Sequence, residues 1–171
     1  MAVKDVKSAL EKLESSDEYA AWKASHDDAY LTHVFAMLED ESILWQVGYF
    51  DTADNLIYSF EVADEIRLND PEPPFGPEGT VVEKIDLEDV KVPFADALEI
   101  VSGLQHKKYA AHKPLKKIII LQVIKDFGLV YNVTYVTETF KTLNIKIDAN
   151  SGNVVEDKLV EIFKMSQGAK P

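Results

Sequence analysis

Apolar residues recur along this chain at two different periods. Val3, Val6, Leu10 and Leu13 stand three and four apart, the spacing of one helical face. Ser15-Ser16-Asp17-Glu18 then supplies a break and a new helix start. A second helix is predicted from Asp17 to about Leu38. Tyr19, Trp22, Tyr30, Val34 and Leu38 form its apolar side, and His26-Asp27-Asp28 marks a kink or a break. The period then changes. Trp45, Val47 and Tyr49 alternate with Gln46 and Gly48, as in a half-buried strand. Asp51-Thr52-Ala53-Asp54-Asn55 supplies turn chemistry. Leu56, Tyr58, Phe60 and Val62 alternate again, which completes a β-hairpin.

Four of the seven prolines fall between Asn69 and Gly79, at positions 71, 73, 74 and 77. Proline has no N–H to donate, so this stretch is neither helix interior nor central strand. It reads as a linker or a surface loop, followed by a short strand at Thr80–Ile85. Pro93 then opens a helix through Phe94, Ala97, Leu98, Val101 and Leu104. A connection rich in lysine and histidine follows, from His106 to Lys117. Three strands are predicted next, at Lys117–Lys125, Leu129–Thr137 and Phe140–Asp148. The first is apolar at nearly every position, which predicts a central strand covered on both faces. Val155 to Met165 reads as a closing helix through Leu159, Ile162 and Phe163.

Charge divides the chain at the same place as the prolines. Residues 1–86 hold 20 acids and 6 bases, and residues 87–171 hold 10 acids and 12 bases, so a net −12 resolves into −14 and +2. Two modules are therefore expected, 1–86 and 87–171. A weak repeat runs across them. Trp45, Val47 and Tyr49 match Tyr131, Val133 and Tyr135, and Tyr58, Phe60 and Val62 match Leu143, Ile145 and Ile147. Any two half-buried hairpins would share that alternation. The expected fold class is α+β, with helices packed on antiparallel sheet, as two tandem modules or as one continuous larger sheet.

Composition narrows the chemistry. With 46% apolar residues the chain can bury a core, which excludes global disorder. It is acidic, and its one arginine is Arg67, so phosphate attraction and guanine readout are poorly served and no nucleic-acid partner is expected. The absence of cysteine excludes disulfides and thiolate chemistry. Met1 to Lys7 lacks the apolar stretch of a secretory signal, and the longest apolar run, Ile118 to Leu121, is far short of the roughly 20 residues of a membrane helix. A cytoplasmic location without membrane insertion is expected.

Three segments of the second half resemble the PepSY domain family. Phe94-Ala95-Asp96-Ala97-Leu98-Glu99-Ile100 looks like its opening helix, and Val130-Tyr131-Asn132-Val133-Thr134-Tyr135 resembles its middle strand. Leu143 to Val155 resembles its ending, a strand running into an Asp-Ala-x-x-Gly-x-Val turn at Asp148-Ala149-Asn150-Ser151-Gly152-Asn153-Val154. The resemblance covers about residues 92–156. It implies a helix plus antiparallel sheet of cystatin-like type and a non-catalytic role, as in propeptide inhibition of proteases or regulation at cell surfaces. The turn itself needs a residue at positive φ, which Gly152 supplies, and a cap, which Asp148 supplies.

His26 and His33 share a face of the predicted helix but stand two turns apart, about 10 Å, too far for one ion, so a solvated helix end is expected and no metal. No Gly-x-Ser-x-Gly elbow, triad spacing or phosphate loop is present, so neither an enzyme nor a cofactor is expected. Asp148 to Leu159 lacks the acidic twelfth residue of a calcium loop. The aromatics carry more. Trp22 on the helix and Trp45, Tyr49 and Tyr58 on the hairpin read as helix-on-sheet core packing; the alternative is a partly open groove between them that accepts a ligand or peptide, with Phe75 as a lid or exposed anchor. Lys107, Lys108, Lys113, Lys116 and Lys117 form a basic segment suited to an acidic surface, a partner's or this chain's own first half. The function expected is non-enzymatic binding or regulation through a protein or peptide partner, self-association included. The alternative is a pocket for a small molecule or lipid.

Overall fold

A computed structural model describes residues 5–74, 76–77 and 79–161. Its architecture is α+β, a single eight-stranded antiparallel sheet with three helices. The first half contributes α1 (Val6–Glu14), α2 (Asp17–Lys23), β1 (Tyr30–Glu39), β2 (Ser42–Asp51), β3 (Leu56–Val62) and β4 (Ile66–Leu68). The second contributes α3 (Phe94–Lys108), β5 (Pro114–Ile124), β6 (Gly128–Thr137), β7 (Lys141–Asp148) and β8 (Val154–Glu161). The strand order is β4-β3-β2-β1-β5-β6-β7-β8. Each half is a meander that starts at the centre and winds outward, and the halves join where β1 pairs with β5. The charge boundary near residue 86 falls in the connection between β4 and α3.

One face of the sheet carries the core. Val34 and Ala36, Trp45, Val47 and Tyr49, Phe60 and Val62, Ile119 and Leu121, Tyr131, Val133 and Tyr135, and Leu143, Ile145 and Ile147 are all buried there. Pairing places them side by side, for example Val34 beside Val47 and Leu121. The helices lie on this face. The α1 helix is capped by Asp5, whose carboxylate accepts from Ser8 N–H at 2.8 Å, and it buries Val6, Ala9, Leu10 and Leu13. Each of its two leucines is worth about 1.5–3 kcal/mol of burial. The α3 helix contributes Phe94, Ala97 and Val101.

The second predicted helix is corrected. It stops at Lys23, and three successive turn bonds, Ser25 N–H to Trp22, His26 N–H to Lys23 and Ala29 N–H to His26, lead the chain into β1. Residues 30–38 are apolar on both faces, so their spacing fits a helix as well as a strand. Pairing with β2 and β5 decides for the strand. The closing helix is corrected as well. Val154–Glu161 is edge strand β8, with Leu159 packed on the core; residues 162–165 of that expectation lie outside the described residues. His106, Lys107 and Lys108 belong to the last turn of α3, where positive charge suits the helix dipole, rather than to a loop. Thr80–Ile85 forms no strand, and β4 escaped the sequence reading because it is three residues long.

The turn after β7 forms as its residues predict. Asp148 Oδ1 accepts from the N–H groups of Asn150 and Ser151 at 2.8 Å each, and Gly152 has φ +83. No helix among the described residues is long and apolar enough to cross a membrane.

Candidate functional site

Alternation puts a second set of side chains on the sheet face away from the helices. Across its middle, Met37 pairs with Leu44 and Ile118, and Phe35 pairs with Gln46 and Ile120. Leu44, Met37, Phe35, Ile118 and Ile120 are half-buried and stand outside the core cluster. The expectation that β5 is covered on both faces is therefore corrected. It is central, but helices cover one side of it only.

A groove of about 430 Å³ lies on this face. Its floor is His33, Phe35, Gln46, Ile120 and Gln122, and its wall is the proline-rich connection at Glu72-Pro73 and Thr80–Glu83. That connection is pinned at both ends. Ile57 and Glu72 exchange backbone hydrogen bonds of 2.8 and 3.0 Å. Farther on, the Tyr30 hydroxyl donates to Val82 O, Thr32 Oγ1 donates to Glu83 O at 3.0 Å, and Ile85 N–H donates to Leu31 O at 2.8 Å. Thr32 is the extra residue where the β1–β2 register shifts, and that bulge presents its hydroxyl to the connection.

His33 lies flat over Gly48, where an added Cβ would meet its Cε1 at 1.9 Å. Burial pushes the His33 pKa down, because desolvation disfavours the imidazolium. From Gln122 a polar ladder crosses to the sheet edge. Asn132 Nδ2 donates to Gln122 Oε1 at 3.2 Å, and Asn144 Nδ2 donates to Asn132 Oδ1 at 2.7 Å. Lys146 Nζ then bridges Asn144 Oδ1 and Glu156 Oε1, at 2.6 and 2.7 Å. The hydrogen bond from Lys146 holds the Glu156 carboxyl below its usual range. An apolar floor beside a satisfied polar track suits an extended segment with alternating side chains. Apolar groups would bury over Phe35 and Ile120, and polar ones would face the ladder.

The residues proposed from sequence lie elsewhere. Trp22, Trp45 and Tyr49 are 6%, 1% and 3% exposed and sit in the core: Trp22 and Tyr49 fill the space between α2 and the hairpin, and Trp45 packs on Phe94 of α3 at 5.0 Å. Trp22 packs against Tyr19, Tyr49, Tyr58 and Phe60 at centroid distances of 5.2–5.7 Å. Tyr58 is half-buried and donates its hydroxyl to Asp54. Phe75 lies outside the described residues. Lys107 and Lys113 are exposed. Lys108 pairs with Asp157 at 2.7 Å, Lys116 with Glu39 at 3.9 Å, and Lys117 lies 5.3 Å over the Tyr135 ring. Among the described residues Lys116–Glu39 is the one ion pair that joins the halves, and both partners are exposed, so the opposite charges are not neutralised against each other.

Sequence reasoning missed the groove because its lining comes from the opposite parity of strands read for their core side. The signal available was the polar set Gln46, Gln122, Asn132, Asn144 and Lys146 within otherwise apolar strands.

No protein-family model matches the chain, and no curated protein matches it. In structure it is similar to a protein from Clostridium difficile 630 described as a "putative lipoprotein", whose crystal structure was determined at 1.85 Å. The TM-score is 0.55 and the identity 18%, over 86% of this chain and 93% of that one. At that identity the likeness shows a shared fold.

Proposed function

We propose that the protein is a non-enzymatic binding protein that holds an apolar, extended protein or peptide segment on the sheet face away from its helices. The observation that supports this reading most is β5. A central strand with apolar side chains on both faces has a helical layer on one face only, and Phe35, Ile118 and Ile120 are left half-buried on the other. Contiguous apolar surface rimmed by polar groups marks interaction sites in soluble proteins. The test is selection of displayed 12-residue peptides on the wild-type protein and on a Phe35→Glu/Ile120→Glu variant shown to be folded by circular dichroism. Apolar peptides that bind the wild type at least tenfold more tightly support the reading. Peptides that bind both proteins equally, or no selected peptide, contradict it.

The two-module reading belongs to this proposal. The strand order is symmetric about the β1–β5 pair, and Phe35 pairs with Ile120, 85 residues on. The same offset aligns Tyr58, Phe60 and Val62 with Leu143, Ile145 and Ile147. What supports a PepSY-like second half is the sequence α3, β5, β6, β7 over residues 92–156, with the Asp148 turn at its end. A second reading, binding of a small apolar molecule, rests on a cavity of about 370 Å³ lined by Val6, Leu87, Val90, Phe94 and Tyr131. A ligand retained in native mass spectrometry would support it.

A further inference from the structure

The β2–β3 turn brings two of its own carboxylates, Asp51 and Asp54, beside His26 from the end of α2. Asp51 ends β2, Asp54 lies in the turn, and His26 follows α2. One ligand atom of each lies within 4.8 Å of the other two. Asp51 is buried, with 2% of its surface exposed. Its Oδ1 accepts from Ala53 N–H at 2.8 Å, while its Oδ2 takes no hydrogen bond among the described residues and faces His26 Nε2 at 4.0 Å. A buried carboxylate needs compensation, yet no lysine or arginine pairs with Asp51 or Asp54 among the described residues.

The imidazole is held in one orientation. Its Nδ1 lies 2.8 Å from the Trp22 carbonyl oxygen, which can only accept, so Nδ1 carries a proton and Nε2 is the ring nitrogen turned toward Asp51. The ring stacks on Trp22 at 4.8 Å and meets Tyr58 edge-on at 4.6 Å. Nε2 and Asp51 Oδ2 face each other at 4.0 Å, beyond a direct hydrogen bond, which leaves room for a cation between them. Asp54 is fixed in the same manner, accepting from Leu56 N–H at 3.0 Å and from the Tyr58 hydroxyl. Histidine bonded through its far nitrogen to a carbonyl, beside carboxylates already hydrogen-bonded, is the arrangement that orients metal ligands.

We propose that His26, Asp51 and Asp54 form a binding site for a divalent transition-metal ion of the zinc class. Imidazole with carboxylates suits zinc better than calcium or magnesium, which take oxygen donors. Zinc bonds of about 2.0–2.2 Å in tetrahedral geometry set ligand atoms about 3.3–3.6 Å apart, so three atoms that lie within 4.8 Å of one another draw together on binding. Asp54, exposed on the turn, reaches the ion by giving up its Tyr58 hydrogen bond, and His26 and Asp51 close from 4.0 Å.

The test is isothermal titration of the full chain with zinc chloride, with calcium and magnesium chloride in parallel, on the wild type, His26→Gln and Asp54→Asn. One zinc per chain, weakened at least tenfold in each variant, supports the site, as does a thermal midpoint that zinc raises and EDTA restores in the wild type alone. Absent zinc uptake, uptake unchanged in both variants, or a preference for calcium overturns it. Should His26→Gln fail to fold, the exposed Asp54→Asn decides on its own.

Discussion

Replacing Gly48 by alanine puts a methyl group where the His33 ring lies. The new Cβ would stand 1.9 Å from Cε1 and 2.4 Å from each ring nitrogen. Carbon atoms in contact sit about 3.5–4.0 Å apart, so the ring must withdraw by about 2 Å, which takes it out of its place on the groove floor. Overpacking of this kind costs about 1–3 kcal/mol. Against it stands the gain from removing a strand glycine, about 0.5–1 kcal/mol, because Gly48 does not adopt a positive φ. The net expectation is a loss of about 0–2.5 kcal/mol. Removing the ring first, as His33→Ala, opens the space, and the same Gly48→Ala change becomes neutral or stabilising there. The four proteins of this double-mutant cycle, unfolded in urea at pH 7.5, should give a coupling of about 1–3 kcal/mol. An alanine penalty that is equal in both backgrounds would refute the packing of His33 over Gly48.

Three further expectations use the same urea assay. Because burial lowers the His33 pKa in the folded state, its contribution to stability is complete above the unfolded value near 6.5 and is lost as pH falls from there through the folded pKa. His33→Gln should flatten that fall between pH 7.5 and 5. Ile145→Ala, at 0% exposure on the helix side, should cost about 2–5 kcal/mol, whereas Ile118→Ala on the open face should cost about 1 kcal/mol; equal costs would mean that both faces are core. Asp157 accepts from Lys108 and from the Tyr109 hydroxyl at the end of α3, and its pKa is held below the usual carboxylate range, first by the Lys108 bond and then by the Tyr109 bond. Stability from this contact is present above about pH 4 and lost as pH falls through the lowered value, so Asp157→Asn should remove about 0.5–1.5 kcal/mol at pH 7 and less at pH 3.

Much of the fold was legible where one face of an element is apolar and the other polar. The first helix, the hairpin Trp45 to Val62, the helix from Phe94 and the strands of β6 and β7 all show that contrast. A run apolar on both faces was legible in β5, where it is continuous, and not in β1, where Thr32 and His33 interrupt it. In residues 30–38 a spacing of four and a spacing of two coexist, and only the neighbours β2 and β5 choose between them. Legibility failed again in β8, where an edge strand carries Glu156, Asp157 and Lys158 in a row and so shows no clean alternation. The groove stayed hidden because its floor joins β1, β2 and β5, and adjacency between β1 and β5 is set by sheet order rather than by local pattern. The His26 cluster stayed hidden because Asp51 and Asp54 read as turn residues, which they also are.

The most direct measurement is a methyl NMR titration of the full chain with a peptide selected on the wild-type protein. The account predicts shifts at Met37, Ile118 and Ile120, which share the open face, and none at Ile119 or Ile145, which face the helices. Shifts confined to the helix side, or to the β8 edge, would contradict it.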